Sequence, residues 1–468
     1  MQLRLNDLTL IIKFDSDKEE KAVKKFLTFK DTKAAFYGGK FHQEAVKDVC
    51  LGKTVQGYFV CFAGFTKEVL LFAKQNNIKI TTFEDSRTHF KFQKKEWNHD
   101  ELRKYFNPDF KYVEHQIRAL QAMLSTNTGI IKAPTSAGKS SIMSAFIRLT
   151  KVPTLILVNK VMLGIQLRDN FIKDGIDCGI CSGKGYQDGY NMVSTIQSIK
   201  KIPNLSKYKC LLVDENHNAS AASYQDFLKQ FGCPLKYGFS ASPARTGDYL
   251  GYAKIRQFLG SIIIDIDSHE LLENDVMAKP YIYLVKNECR QDEYFDYQTA
   301  YTEEIVNSKK RNELVKTITE KYGNGVLIVV NIVEHGEILR DLIPGAVFIS
   351  GETSVDERKK SIEAFDNGKL PVLIGSTILQ EGISITHMKA MVLACGGKSN
   401  VAVLQKIGRS LRFKEGEKTE VDFYDFIDTA KFLSKHSKMR AGLYKKAGYD
   451  NITVLDENLK TVAKAKEK

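Results

Sequence analysis

Short apolar runs recur along most of the chain, and few of them alternate with polar residues. After about residue 110 they occur between segments with helical spacing, at 129–132, 154–158, 192–195, 210–214 and 237–240. A second series follows at 326–331, 347–350, 372–375, 391–394 and 421–425. Apolar runs without alternation are typical of strands buried on both faces of a parallel sheet that helices cover. The pattern therefore predicts two α/β units in tandem.

The first 105 residues have a different pattern. The run 58–62 predicts a strand, the segment 66–77 has helical spacing, and the alternation at 78–83 predicts another strand. We therefore expect a small α+β domain that ends within the polar segment 94–108. The predicted boundaries are 1–105 for this domain, 106–280 and 281–435 for the two α/β domains, and 436–468 for a basic C-terminal tail.

The charge balance adds an expectation about partners. The chain has 468 residues, with 69 Lys and Arg against 56 Asp and Glu, and its pI is about 9.1. Such a surplus favours a polyanionic partner, although a solvated basic surface would give the same balance. No segment has the length of a membrane span or the pattern of a signal peptide, so we expect no membrane association.

Cysteine usage indicates the compartment. Eight cysteines in a chain of this length are too few for a disulfide framework, so a reducing cytoplasm is expected. Cys178 and Cys181 form a single C-x-x-C pair without a second pair at zinc-site spacing. We expect these two cysteines to be strand residues.

A phosphate-binding loop is predicted between a strand and a helix. Small residues in such a loop let backbone N–H groups surround phosphate oxygens at a helix N-terminus. In this role the lysine binds the β- and γ-phosphates of ATP and the final serine coordinates Mg²⁺. Position 133 holds Ala where Gly is usual, which a negative φ would allow. The predicted nucleotide-binding residues are Ala133, Pro134, Thr135, Ser136, Ala137, Gly138, Lys139 and Ser140.

Two adjacent carboxylates follow the apolar run 210–213. Asp214 is predicted to bind Mg²⁺ together with Ser140. Glu215 is predicted to polarise the attacking water and is a candidate catalytic residue. A surface turn with two acidic residues is the alternative, but the phosphate-binding loop upstream favours the catalytic interpretation.

The order of these two motifs resembles that of superfamily 2 helicases of the DExH kind, over about residues 110–435. Within that family the chain is most similar to phage UvsW-type branch-migration and fork-remodelling helicases, through 134–140, 193–197, 349–352 and 398–400. The resemblance implies two tandem RecA-like parallel-sheet domains preceded by the small α+β domain. It also implies ATP and Mg²⁺ as cofactors and DNA as partner.

Further residues are assigned through the resemblance. Gln116 lies in a Q motif and would hydrogen-bond the adenine edge. His217, Ser240 and Ser242 would couple ATP hydrolysis to nucleic-acid binding. Gly382 lies in motif V and would contact the nucleotide. The same motif has Ser384 where relatives commonly have Asp, so a contact made by that Asp is not carried over.

The segment 405–412 matches motif VI, Q-x-x-G-R-x-x-R. Its candidate catalytic residues are Gln405, Arg409 and Arg412. Two arginines three positions apart lie on one face of a helix, where they can stabilise the γ-phosphate in the transition state. Because they lie in the second α/β unit, we expect ATP to bind in a cleft between the units. Closure of that cleft would depend on the nucleotide, and hydrolysis would thereby be converted into motion.

The resemblance also implies nucleic-acid contacts by polar residues at strand ends. Their hydroxyl, amide and amine groups suit phosphate contacts that do not depend on sequence. The residues are Asn159, Lys160, Thr195, Gln197, Asn331, Ser376 and Thr377. The aromatic residues of 26–41 could stack on bases, but we expect them to pack in a core.

These observations predict an ATP-dependent DNA helicase or translocase that acts on forked or branched DNA. An RNA-directed DExH helicase and a nucleotide-gated nucleic-acid-binding module without unwinding activity remain alternatives. A small-molecule kinase would lack the 405–412 motif. The basic domain 1–105 is expected to recognise substrate, or else to dock on the first α/β unit and complete its core. If the chain is phage-encoded, its compartment is the host cytoplasm.

Overall fold

A computed structural model describes most of the chain. The described residues are 1–32, 36–37, 40–41, 43–110, 112–134, 137–243, 248–274, 276, 279–289, 294–375, 388–397, 420–446, 449 and 451–464. The chain forms two compact units, Met1–Asp267 and Ser268–Lys468. No helix among the described residues is long and apolar enough to cross a membrane.

The first unit begins with a small α+β domain. Its strands are β1 (Gln2–Leu5), β2 (Thr9–Lys13), β3 (Thr28–Asp31), β4 (Phe36–Tyr37), β5 (Lys40–Phe41), β6 (Lys47–Cys50), β7 (Gly52–Val55), β8 (Tyr58–Phe62) and β9 (Thr82–Asp85). Its helices are α1 (Asp17–Phe26), α2 (Thr66–Gln75) and α3 (His99–Arg103). The main sheet has the order β7-β8-β2-β1-β9, with only the β1–β9 pair parallel. Both the strand at 58–62 and the helix from residue 66 are confirmed, whereas the strand expected at 78–83 starts only at Thr82.

The rest of the first unit is a helix-covered sheet of eight strands. The strands are β10 (Thr128–Lys132), β11 (Thr154–Val158), β12 (Cys178–Ser182), β13 (Gly185–Gln187), β14 (Asn191–Thr195), β15 (Cys210–Asp214), β16 (Leu235–Ser240) and β17 (Ile262–Asp265). The helices are α4 (Glu114–Leu124), α5 (Lys139–Thr150), α6 (Val161–Lys173), α7 (Ala222–Leu228) and α8 (Tyr249–Leu259). The order is β13-β12-β14-β11-β15-β16-β10-β17, and only the edge pair β12–β13 is antiparallel. Cys178 and Cys181 lie on β12, as expected.

The parallel arrangement follows from the apolar runs. All five residues of β11 and the first four of β15 are buried, so helices must cover both faces of these strands. Because the central strands are parallel, their carboxyl ends lie at one edge of the sheet. Loops at that edge carry the motifs found in the sequence, as is general for open α/β sheets.

The small domain packs against the helix-covered sheet of the same unit. Ala253 on α8 is buried in the apolar cluster of the small domain. The rings of Phe62 and Phe258 have centroids 4.3 Å apart, and Arg256 Nη1 lies 2.7 Å from Glu68 Oε2. These contacts correspond to the docking alternative considered from the sequence.

Two further contacts join the small domain to this sheet. Lys236 on β16 is buried, and its ammonium donates to the carbonyl of Asp7 and, at 2.9 Å, to that of Cys233. Burial lowers the pKa of the Lys236 ammonium. At Gly64, a Cβ atom would lie 2.2 Å from the carbonyl oxygen of Arg256, so only glycine allows this close approach.

The second unit contains another eight-stranded sheet. Its strands are β18 (Lys279–Asn287), β19 (Val326–Val329), β20 (Ala346–Ile349), β21 (Val372–Gly375), β22 (Ala390–Leu393), β23 (Glu420–Asp428), β24 (Ile452–Leu455) and β25 (Thr461–Lys464). Its helices are α9 (Ser268–Glu273), α10 (Tyr297–Tyr301), α11 (Lys309–Tyr322), α12 (Val333–Leu342), α13 (Val355–Asp366) and α14 (Lys431–Lys446). The order is β20-β21-β19-β22-β23-β18-β24-β25, parallel except for the last pair.

Two tandem parallel-sheet domains and a preceding small sheet domain are therefore confirmed. The structure differs from the expected boundaries at two places. The first unit ends at Asp267, and β18 (Lys279–Asn287) lies within the second sheet, where it pairs with β23. The segment expected to be a basic tail instead contributes most of α14 and two strands to the second unit. Ile452 and Leu455 on β24 are buried in two different apolar clusters of the second unit, so both faces of this strand are covered.

Candidate active site

The predicted phosphate-binding loop links β10 to α5. Gly138 precedes α5 with a φ of +73°, and a Cβ atom there would lie 2.3 Å from Gln116 Nε2. Both the backbone conformation and the close approach therefore require glycine. Ala133 is fully buried, has a negative φ, and its N–H donates to the carbonyl of Ser240 at 3.0 Å. Alanine is thus compatible with the first position of the loop.

A continuous set of polar contacts joins this loop to the ends of β15 and β16. Lys139 Nζ lies 3.5 Å from Glu215 Oε1, and both side chains are at most 8% exposed. His217 Nδ1 lies 3.3 Å from Glu215 Oε2 and 3.3 Å from Ser240 Oγ. The Ser242 N–H donates to Ser240 Oγ at 3.1 Å. The structure therefore brings together five residues that the sequence assigned to three separate motifs.

Glu215 has an unusual backbone conformation. Its φ of +50° and ψ of +55° lie in the left-handed region, which costs a non-glycine residue about 1–2 kcal/mol. Its N–H donates to Asp214 Oδ1 at 3.1 Å. The conformation directs the chain into the short helical segment Asn216–Ser220 directly after β15. Strain of this kind is concentrated at functional sites, which agrees with the predicted catalytic role.

The Q-motif residue contacts the loop from α4. Gln116 Nε2 donates to the carbonyl of Ala137 at 3.2 Å, and His115 Nε2 donates to the same carbonyl at 3.0 Å. Both side chains are buried, and Gln116 Oε1 has no hydrogen-bond partner among the described residues. The Q-motif resemblance gave a role to Gln116 but none to its neighbour His115. The burial of His115 beside the loop carbonyl is evident only from the fold.

The candidate magnesium ligands lie at the same edge of the sheet. Ser140 is in the first turn of α5, and Asp214 is the last residue of β15. A hydroxyl and a carboxylate, both partly exposed, are oxygen donors of the type that Mg²⁺ prefers. Pro134 lies in the loop, two positions after the last residue of β10.

Most of the candidate nucleic-acid contacts in the first unit follow two neighbouring strands. Asn159 and Lys160 follow β11, and Thr195 ends β14, in register with Val158. Gln197 is exposed, whereas Thr195 is buried and lies 3.1 Å from Ser198 through the two hydroxyl oxygens. These positions lie at the same carboxyl-end edge of the sheet as the phosphate-binding loop. In the strand order, β14 and β11 lie on one side of β15, and β10, which precedes the loop, lies on the other.

Eight of the predicted site residues lie outside the part of the chain that the structure describes. They are Thr135, Ser136, Ser376, Thr377, Gly382, Gln405, Arg409 and Arg412. Their assignments stay predictions from the sequence.

Three polar side chains hold the turn after β22 in the second unit, and of these the sequence identified only Asn331, as a candidate nucleic-acid contact. Arg311 Nε donates to the carbonyl of Ala394 at 3.0 Å, and Arg440 Nη1 donates to that of Gly397 at 3.1 Å. Asn331 Nδ2 donates to the carbonyl of Gly396 at 3.2 Å. Both arginines are buried and form ion pairs with aspartates of β23. The turn immediately precedes the segment that contains motif VI.

Comparison with protein families gives two matches. A model described as the res subunit of type III restriction enzymes matches residues 109–245. A model described as the helicase conserved C-terminal domain matches residues 309–414. The first match contains the phosphate-binding loop and Glu215, and the second contains motif VI.

Several curated proteins have similar sequences. The ATP-dependent DNA helicase uvsW of Enterobacteria phage T4 is 28% identical over 335 residues, which are 64% of this chain and 65% of the relative. The DNA 3'-5' translocase XPB2 of Sulfurisphaera tokodaii is 24% identical over 65% of this chain and 79% of its own length. Putative helicase 22 of a Sulfolobus islandicus filamentous virus is 26% identical over 66% of this chain and 63% of its own. The chain thus spans just under two thirds of two of these relatives.

Solved structures share the fold at low sequence identity. Dbp5 of S. cerevisiae bound to RNA and ADP BeF3 has a TM-score of 0.57 and 17% identity, covering 77% of this chain and 95% of that one. A fragment of a putative HsdR subunit of a type I restriction enzyme from Vibrio vulnificus has a TM-score of 0.53 and 16% identity. The match covers 75% of this chain and 69% of that one. These likenesses agree with the tandem parallel sheets described above.

Proposed function

Because the chain belongs to the superfamily 2 helicases, we propose that it is an ATP-dependent DNA helicase or translocase that acts on forked or branched DNA. The observation that carries the proposal is the contact between Lys139 and Glu215, with His217 and Ser240 beyond them. Hydrolysis of a nucleoside triphosphate needs a phosphate-binding cation and a carboxylate that polarises water in one small space. Here both groups are buried next to a glycine-dependent loop at a helix N-terminus.

Each side chain has a distinct role in the proposed reaction. Lys139 binds the β- and γ-phosphates, and bound ATP competes with Glu215 for its ammonium. Glu215, released from that ion pair, accepts a hydrogen bond from the attacking water and orients it. Arg409 and Arg412 stabilise the transferring phosphoryl group, and Gln405 supports them, in keeping with their motif.

Ser140 and Asp214 would hold Mg²⁺. When bound, the ion neutralises charge on the β- and γ-phosphates. Gln116 would recognise adenine. Its buried Oε1 accepts no hydrogen bond from any of the described residues, so it can accept one from the exocyclic amino group of the base.

His217 is the proposed link between hydrolysis and nucleic-acid binding. Its imidazole lies between Glu215 and Ser240 at 3.3 Å from each. A change in the position of Glu215 during the ATP cycle therefore reaches β16 through a single side chain. Ser242 would extend that link through its N–H to Ser240.

DNA is the proposed substrate because relatives named as a DNA helicase and a DNA translocase are similar over about two thirds of this chain. The branched form is proposed from the similarity to the T4 relative. The contacts would come from Asn159, Lys160 and Gln197, with Ser376 and Thr377 in the second domain. Two relatives belong to a phage and a virus, and if this chain is phage-encoded its proposed compartment is the host cell cytoplasm.

An RNA-directed activity is the main alternative. The test compares ATP hydrolysis without nucleic acid and with single-stranded DNA, duplex DNA, forked DNA or RNA at equal nucleotide concentration. We expect the largest stimulation with forked DNA. Stimulation by RNA alone would contradict the DNA assignment, and nucleic-acid binding without hydrolysis would indicate a binding module.

A further inference from the structure

Helix α14 is fixed to the second sheet through one face. Leu433, Ser437, Arg440 and Tyr444 on this face are buried. Arg440 binds Asp425 on β23 through two hydrogen bonds of 2.8 and 3.0 Å, and both side chains are at most 2% exposed. Such a bidentate pair resists rotation of the helix, because breaking it would leave a buried charge without its partner.

The opposite face of α14 is strongly basic. Lys431, Lys435, Lys438 and Lys445 are all exposed. Their spacing of four, three and seven positions places them along one side of a helix, over about 21 Å at 1.5 Å per residue. We call these four residues the lysine row.

Nothing in the helix balances this charge. The α14 sequence contains no Asp or Glu. Among the described residues, the ion pairs that α14 forms both involve the buried Arg440. A solvated helix face usually carries acidic residues that form i,i+4 pairs with its lysines, so an uncompensated row needs another explanation.

Three other lysines on the surface of the second unit have acidic neighbours. Lys310 contacts Glu457, Lys316 lies 3.9 Å from Glu313, and Lys359 lies 3.9 Å from Glu363. The lysine row therefore differs from these three lysines in having no acidic neighbour on its own helix.

We propose that the lysine row of α14 binds the phosphate backbone of the DNA substrate. The inference rests on the proposed function and adds to it a contact surface outside the helicase motifs. A row of about 21 Å spans roughly six base steps at 3.4 Å, so four ammonium groups can each reach a different phosphate. The fixed inner face keeps the row in position, which reduces the entropy lost on binding.

The test uses two variants of the full chain that lose the same charge. One replaces the lysine row by glutamine, as Lys431→Gln, Lys435→Gln, Lys438→Gln and Lys445→Gln. The matched control replaces four exposed lysines of the same unit, as Lys309→Gln, Lys310→Gln, Lys359→Gln and Lys360→Gln. A third protein replaces the lysine row by arginine, which keeps the charge.

The measurement is the affinity for labelled forked DNA at several salt concentrations. We expect the glutamine variant of the lysine row to bind about tenfold or more weakly at low salt. The slope of log affinity against log salt should become shallower by about 0.7–0.9 for each phosphate that the variant no longer neutralises. The control and the arginine variant should bind like wild type, and ATP hydrolysis without DNA should be unchanged in all three.

Equal weakening of both glutamine variants would overturn the proposal, because only the total charge would then matter. So would an unchanged salt slope in the lysine-row variant. If wild-type protein binds no DNA, the proposed function fails as well. If wild type binds DNA and the two glutamine variants do not differ, only the lysine-row proposal fails.

Discussion

Docking of the small domain on the first large sheet predicts that the two parts unfold together. Phe62 lies on β8 of the small domain, and Phe258 lies on α8 with 2% of its surface exposed. Truncation of a buried Phe to Ala costs about 3–5 kcal/mol. Because Phe62 is only half-buried, we expect Phe62→Ala to cost about 2 kcal/mol.

Thermal unfolding measures this effect. For a unit of this size, 1 kcal/mol shifts the midpoint by about 2–4 °C, so Phe62→Ala should lower it by about 4–8 °C. A double-mutant cycle with Phe258→Ala should give a coupling free energy of about 0.5–1.5 kcal/mol, since the rings are 4.3 Å apart. Phe83→Ala is the control, because Phe83 is 43% exposed and should give no coupling with Phe258.

The docking interpretation also predicts that deletion of residues 1–105 exposes Ala253, Phe258 and the buried Lys236. The truncated protein should then unfold at lower temperature or be insoluble. A truncated protein with the wild-type midpoint for its first large sheet would refute the docking argument. So would a Phe62→Ala variant that shifts only a separate, earlier transition.

Three further predictions concern the active site and the second unit. Lys139→Ala should lower ATP hydrolysis by about 10²-fold or more; turnover within a few-fold of wild type would disprove the phosphate-binding role. Arg409→Ala and Arg412→Ala should each lower kcat but retain ATP binding, measured with a fluorescent nucleotide; full DNA-stimulated turnover in both would contradict their catalytic assignment. Burial lowers the pKa of His335 from 6.5 to about 3. Between these pH values the unfolded state binds a proton that the folded state does not. The free energy of unfolding should therefore fall by about 1.4 kcal/mol for each pH unit below 6.5. His335→Gln should remove this part of the acid sensitivity in unfolding measurements, and an unchanged pH profile would argue against a buried neutral imidazole.

Elements with strong local signals could be predicted from the sequence. The buried runs of β11 and β15 have no alternation and lie between helical patterns, so both their type and their parallel arrangement followed. The roles of Lys139 and Glu215 are also predictions from local signals, namely small residues, a lysine and adjacent carboxylates at strand ends. Their contact at 3.5 Å required the fold.

Features that depend on distant parts of the chain could not be predicted. Arg311 and Arg440 resemble surface arginines in sequence, and only the fold buries them against Asp428 and Asp425. Lys236 likewise lies in an apolar run, and one of its two acceptors is the carbonyl of Asp7 near the other end of the unit. Such pairs have no local pattern, since their partners are brought together by tertiary packing.

The most direct test of the proposed chemistry is ATP turnover by Glu215→Gln on forked DNA, measured beside ATP binding. The amide retains the size of the carboxylate and loses its ability to polarise water. We expect ATP and DNA to bind with near wild-type affinity while turnover falls by about 10²-fold or more. A Glu215→Gln variant that hydrolyses ATP at the wild-type rate, or that cannot bind ATP, would contradict the role given to Glu215.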